Sequence, residues 1–143
     1  MTVAAILAKK GRQVITMGPQ QTLAAVCETL ASHKIGAVVL IDGEGAIAGI
    51  LSERDVVRAL AAEGPAGLNE PASAYMSTHV VTCDERETTD QVLARMTTGR
   101  FRHMPVTREN RLIGVISIGD VVARRIELAE REAADMRAYI ASA

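Results

Sequence analysis

The chain has 143 residues, 48% hydrophobic and 23% charged, enough to bury a core as one domain or as two small units. Its 16 basic and 17 acidic side chains leave a net charge of -1, so no long-range field would hold a nucleic-acid backbone or an anionic membrane, and any bound anion must be gripped locally. No apolar run approaches the roughly 18 residues needed to cross a bilayer, and only 2% of residues are aromatic, which implies a cytoplasmic protein with an aliphatic core.

The first segment, residues 1–12, is expected to be helical over Val3–Leu7 and to end at Gly11, packing on the body of the protein. Residues 13–63 open with a short strand, Val14–Met17, and a helix from about Thr22. Two strands follow, Ala37–Ile41 and Ile47–Leu51, joined by the polar hairpin signal Asp42-Gly43-Glu44-Gly45. A helix opened by Ser52 closes the unit. Residues 64–78 form a connector, with a loop over Glu63–Gly67 and a short helix over Pro71–Met76.

Residues 79–126 then repeat the pattern. Val80–Cys83 is a strand, a helix starts near Thr88, and Met104–Thr107 and Leu112–Ile116 are strands before a helix opened by Ser117. An offset of 66 superposes Val14 on Val80, Thr22 on Thr88 and Ile35 on Phe101, and past the hairpin it becomes 65, aligning GILSERDVV with GVISIGDVV. The duplicated β-α-β-β-α unit is the organising fact of the chain. The apolar sheet face of one unit lacks helix to cover it, so two copies are expected to pack together about a local twofold axis.

Residues 127–143 extend the last helix. Val122, Ile126, Ala129, Ala133, Met136 and Ile140 recur at alternating spacings of four and three, a heptad-type seam that suits a partner helix. Cys27 and Cys83 fall in no metal-binding or disulfide pattern and are read as reduced structural residues; His33 and His79 are read as solvent or capping residues. No nucleophile stands with a plausible base, and there is no metal cluster or Gly-rich phosphate loop, so no enzyme activity is expected.

The pairs Ser52-x-x-Asp55 and Ser117-x-x-Asp120 carry two readings. One is a capping box, serine accepting from first-turn amides and aspartate suiting the helix dipole. The other is chemical: an aspartate at a helix start beside a cleft can accept from both hydroxyls of a ribose, as acidic residues do in dinucleotide-binding folds. One carboxylate can serve both.

The strand signatures HKIGAVVLID and FRHMPVT, with the paired Gly-apolar-apolar-Ser-x-x-Asp elements, make residues 13–126 resemble a CBS domain pair, or Bateman module. That resemblance implies an α/β fold of two tandem repeats about a pseudo-twofold axis, flanked by a short N-terminal and an extended C-terminal helix. It also implies a regulatory module without catalysis, with an adenosyl ligand in clefts between the repeats. AMP is expected first, with ADP, ATP, NAD or S-adenosylmethionine as alternatives. The resemblance also implies a homodimer, whose arrangement an unknown protein partner is expected to read; an empty-cleft dimeric scaffold is the competing expectation.

By position, the resemblance implies that Asp120 and Ser117 face Thr16, Ile35, Gly36 and Ala37 over a floor of Ile116, the small residues leaving room for an adenine edge. This site is ranked first. A tighter companion would pair Asp55 and Ser52 with Thr82, Phe101, Arg102, His103 and Met104 over Leu51. Phosphates are expected toward Arg102 and His103, with Arg54 either joining them or forming a surface ion pair. Val39, where the second repeat has Pro105, leaves the geometry of the first wall strand open.

Overall fold

The computed structural model describes residues 1–142. Helix α1 is Val3–Lys10, followed by strand β1 (Thr16–Met17), α2 (Leu23–His33), β2 (Ala37–Ile41), β3 (Ile47–Ser52) and α3 (Glu53–Glu63). The second repeat supplies β4 (Cys83–Asp84), α4 (Thr89–Gly99), β5 (His103–Arg108), β6 (Arg111–Ser117) and α5 (Ile118–Ser142). Each repeat makes its own three-stranded sheet, β1-β2-β3 and β4-β5-β6, with a parallel first pair and an antiparallel hairpin. The duplicated β-α-β-β-α reading therefore holds throughout, with the first strand of each repeat shorter than its apolar run.

The connector differs from expectation. Gly64–Asn69 is a 3-10 helix where a loop was expected, and only Ala72–Ala74 of the anticipated second helix is helical, also as a 3-10 turn. Pro65 sits in the first turn, where its missing N–H costs nothing. Two glycines within six residues keep the segment from lengthening into an α-helix.

Each core is closed by chain that precedes the other repeat. At the start of α2, Leu23 N donates to Glu70 O (2.9 Å), while Ala72 N and Ser73 N reach back to Gln21 O and Pro19 O (2.7 and 2.9 Å). The start of α4 is closed identically by the N-terminus: Thr89 N donates to Met1 O (3.1 Å), and Val3 N and Ala4 N donate to Glu87 O and Glu85 O (2.9 and 2.8 Å). Side chains follow the same exchange. Val3, Ile6 and Leu7 join Cys83, Val92, Met96, Met104, Val106 and Ile116 in one cluster, while Ala72, Tyr75 and Met76 pack with Leu23, Val26, Val38, Leu40 and Leu51 in the other. The N-terminal helix thus packs on repeat 2 rather than on the repeat it precedes.

The central strands are covered on both faces. Val38 and Leu40 point into the first cluster, yet Val39, of opposite parity, is also fully buried. The other repeat approaches this strand at its start, where His103 lies against Gly36. Pro105 is tolerated in β5 because β4 pairs only from Val106 onward, so that edge demands no N–H from it. β2 and β5 accordingly keep matching registers, with the irregularity at Leu40/Ile41 recurring at Val106/Thr107.

The corresponding glycines Gly49 and Gly114 mark where the exchanged segments press on the sheets. A Cβ on Gly49 would meet Met76 Sδ at 2.6 Å and the Ser77 carbonyl oxygen at 2.9 Å; on Gly114 it would meet only Leu7 side-chain atoms, at 2.6 Å and beyond. Backbone yields less readily than a leucine methyl. Gly49→Ala is therefore expected to lower stability by about 1–3 kcal/mol and Gly114→Ala by less, read as urea-unfolding midpoints; the reverse order would refute this packing account.

Candidate functional site

Both helix starts at the repeat junction carry the same hydrogen-bond pattern. Ser52 N and Ser52 Oγ donate to Asp55 Oδ2 (2.8 and 3.0 Å), and Asp55 N donates back to Ser52 Oγ (3.4 Å). In repeat 2, Ser117 N donates to Asp120 Oδ2 (2.8 Å) and Asp120 N to Ser117 Oγ (3.1 Å). The capping-box reading is thus met at both positions, and at each the cap uses a single carboxylate oxygen. Oδ1 lies outside the cap.

A cavity of about 520 Å³ opens between the repeats on the Asp55 side, within the range of small-molecule sites. Repeat 1 contributes Gly36, Ala37, Ile50 and the start of α3 with Ser52 and Asp55. The connector adds Ser77, His79, Val80 and Val81, and repeat 2 supplies Phe101, Arg102 and His103. Four arginines, Arg54, Arg58, Arg100 and Arg102, and two acidic residues, Glu53 and Asp55, are among the lining residues. The cavity is therefore locally cationic in a chain of nearly zero net charge. Ile50 and Phe101 give it apolar walls and Asp55 an acceptor, so it can hold a flat apolar ring, a polar diol and an anion together.

The sequence-derived residues distribute unequally. Ser52, Arg54, Asp55, Phe101, Arg102 and His103 are brought together as expected for the companion site. Gly36 and Ala37 line this same cavity, because the β2–β3 register sets Ala37 opposite Ser52 and Glu53 N donates to Gly36 O (3.0 Å). Wall and cap of one repeat are neighbours by strand pairing. The space above Gly36 holds the His103 imidazole, whose Nε2 stands 2.9 Å from where a Gly36 Cβ would sit, so it is not free for an adenine edge.

Leu51, Met104 and Ile116 are not at the cavity: all are 0% exposed in the two cores, and strand alternation presents Ile50 instead of Leu51. Ile35 packs on the first core. Thr82 turns its carbonyl to Arg95 Nη1 (3.0 Å), and Thr16 borders a separate open depression between the two hairpin turns. His33 and His79 are both exposed, in keeping with the solvent reading, and His79 also borders the cavity. The 3.6-residue period could have found Arg58, one turn beyond Arg54 on the same helix face. Arg100 carried no such signal: it lines the cavity from the left-handed C-cap of α4 (φ 57°), a position usually given to glycine.

Asp120 lies in different surroundings. Lys10 Nζ, from the end of α1, donates to Asp120 Oδ2 (2.7 Å) and to Val115 O (2.8 Å). Burial pushes the Asp120 carboxyl up, but the Lys10 hydrogen bond and charge and the Ser117 bonds outweigh it and hold the group below its ordinary value. His103 lies close by. Burial first, then the Lys10 and Arg102 charges, lower its pKa against the opposing pull of Glu53 and Asp120. Cys83, sealed in the second core, has its thiol pushed up to about 12, chiefly by burial, in keeping with a structural role.

The CBS domain family model matches residues 5–62 and 72–127. Among solved structures, the CBS-domain containing protein ATU1752 from Agrobacterium tumefaciens is 48% identical, with a TM-score of 0.85 over 87% of this chain and 92% of that one. The CBS domain-containing protein YhcV of Bacillus subtilis is 27% identical over 114 residues, 80% of either chain. The CBS domain pair of MJ0100, solved in complex with 5′-methylthioadenosine and S-adenosyl-L-methionine, has the same fold, with a TM-score of 0.78 and 23% identity over 89% of this chain and 96% of that one. Among the described residues, no helix is long and apolar enough to cross a membrane.

A histidine kept neutral by burial makes the fold acid-sensitive. The unfolded chain takes up the proton near pH ~6.5 and His103 in the folded protein only at lower pH, so stability should fall as pH drops through that window. Urea midpoints measured between pH ~7.5 and ~5.5 should show this loss, and His103→Asn should flatten it; an imidazole resonance titrating above ~6.5 would contradict the assignment.

Proposed function

Because this chain belongs to the CBS-domain family, a family of regulatory modules, we propose that it binds an adenine nucleotide in the Asp55 cavity and passes occupancy on through dimer geometry. The observation that carries this reading is the junction cavity itself, where an aspartate with an uncapped oxygen, an apolar wall and four arginines converge. The ribose diol donates to Asp55 Oδ1, the base lies between Ile50 and Phe101, and the phosphates meet the guanidinium groups. The bonds to charged partners contribute about 1.5–3 kcal/mol each, less where the arginines are solvated. The nucleotides AMP, ADP, ATP and NAD all present these groups. S-adenosylmethionine, which the related MJ0100 pair holds, lacks the phosphates that the arginines suit.

The dimer is proposed to form through apolar surface on α3 and α5. Val57, Leu60, Val122 and Ile126 are exposed there, and the heptad seam runs on through Met136 and Ile140 (59% and 65% exposed) in a stretch of α5 wholly open to solvent. Helices that carry such a seam without a partner in their own chain suit a second copy. A tenfold nucleotide-driven shift between two dimer arrangements requires only about 1.4 kcal/mol of differential affinity. An as yet unidentified protein partner reads the arrangement.

Two measurements test this. Isothermal titration should show binding of ADP that weakens about 10- to 100-fold with 2′-deoxy-ADP or in Asp55→Asn, a change that keeps an acceptor for the cap; wild-type protein indifferent to AMP, ADP, ATP and NAD would leave only the empty scaffold. Analytical ultracentrifugation should show a dimer that Ile126→Glu with Met136→Glu converts to folded monomer; an unchanged sedimentation coefficient would place the interface elsewhere.

A further inference from the structure

The two Ser/Asp caps differ in what lies against them, and the difference begins in the lengths of the exchanged segments. Residues 1–7 and 70–76 play the same part 69 positions apart, whereas Val14 and Val80, like Thr22 and Thr88, correspond at 66. The segment before repeat 1 is therefore three residues longer, nearly one helical turn. That surplus appears as the last turn of α1. After Met76 the connector goes extended, and Ser77 exchanges both backbone hydrogen bonds with Ile50 (3.0 and 2.9 Å) beside the open Asp55 cavity. After Leu7 the chain instead remains helical to Lys10, whose ammonium lands on the carbonyl of Val115, the counterpart of Ile50, and on Asp120.

We infer that Lys10 is an internal latch on the Asp120 cleft, so that a nucleotide enters that cleft only by displacing the end of α1, while the Asp55 cavity fills first. This rests on reading the two aspartates as ribose acceptors. The lysine occupies the same carboxylate, Oδ2, that the helix cap uses, and its neighbours hold α1 in place: Lys9 Nζ donates to Glu127 Oε2 on α5 (2.6 Å) and Arg12 Nη1 to Glu85 Oε2 (2.9 Å). A nucleoside that pushes the ammonium aside to reach the uncapped Oδ1 would leave a cation without its acceptors in a partly buried place. Release of Lys10 also loosens the helix end that Lys9 ties to α5. Filling of the second cleft is thereby linked to the long C-terminal helix.

The test is titration of ADP, followed by calorimetry and by amide hydrogen exchange, on wild type, Lys10→Met, Asp120→Asn and Asp55→Asn. Lys10→Met keeps the aliphatic stem and removes the charge of a half-exposed side chain, and circular dichroism verifies that it folds. Wild type should show one site per chain, with a second at least about tenfold weaker; Lys10→Met should tighten the second about tenfold, and Asp120→Asn should remove it in either background. Exchange over residues 3–10 should rise in Lys10→Met without ligand, and in wild type only at ADP concentrations that fill the second cleft. Two equal wild-type sites, or a second site indifferent to Lys10→Met while Asp55→Asn still weakens the first, would overturn the latch and leave the nucleotide reading standing. No ADP bound by wild type or Lys10→Met would overturn both.

Discussion

The first turns of α2 and α4 begin with backbone groups that their own repeat cannot satisfy, and the chain satisfies them by exchange. Glu70 to Ser73 close the first repeat and Met1 to Ala4 the second, with matching hydrogen bonds and matching apolar side chains behind them. Buried backbone groups left unpaired would each cost on the order of 1–3 kcal/mol, so neither half is complete without sequence that lies outside it. The exchange also fixes how the halves sit together. Because β2 is buried on both faces and Gly36 meets His103, the junction is a packed surface and the cavity is what remains at its edge.

From this follows the asymmetry of two sites that the sequence writes almost identically. Strand register puts each Ser/Asp cap beside the wall of its own repeat, Ala37 against Ser52 and His103 against Ser117. What differs is the side chain at the wall and the segment at the mouth. Ala37 stands in one wall where His103 stands in the other, and Ser77 pairs with Ile50 where Lys10 reaches Val115 and Asp120. His103 stands between the two environments: the charges of Lys10 and Asp120 act on it while it lines the Asp55 cavity.

Much of the architecture was legible because duplication reports itself. The offset of 66 and the hairpin signal locate β2, β3, β5 and β6 to within a residue, and Thr22, Ser52, Thr88 and Ser117 are all caps. The site was legible in its chemistry but not in its pairing. Asp55, Arg102 and His103 do converge, and Gly36 and Ala37 join them, which a one-dimensional correspondence did not show because β2 and β3 hold wall and cap together by pairing. Leu51, Met104 and Ile116 were misplaced by one step of strand parity. Lys10 could not have been singled out: its role depends on one extra helical turn in a segment that packs on the distant half of the chain. The heptad seam, by contrast, was read correctly as apolar surface with no cover in its own chain.

The central claim is that the Asp55 carboxylate is the hand that holds a nucleoside at the junction. Carbon-detected NMR of protein labelled in its aspartate side chains tests it directly, with Asp42, engaged by Glu44 N and Ala46 N in a hairpin turn, as the internal control. On addition of ADP the Asp55 carboxylate resonance should move saturably, together with the ring protons of Phe101, while Asp42 stays still. If Asp55 and Phe101 remain unmoved at ligand concentrations that shift other residues, the nucleotide binds elsewhere and this cavity is not its site.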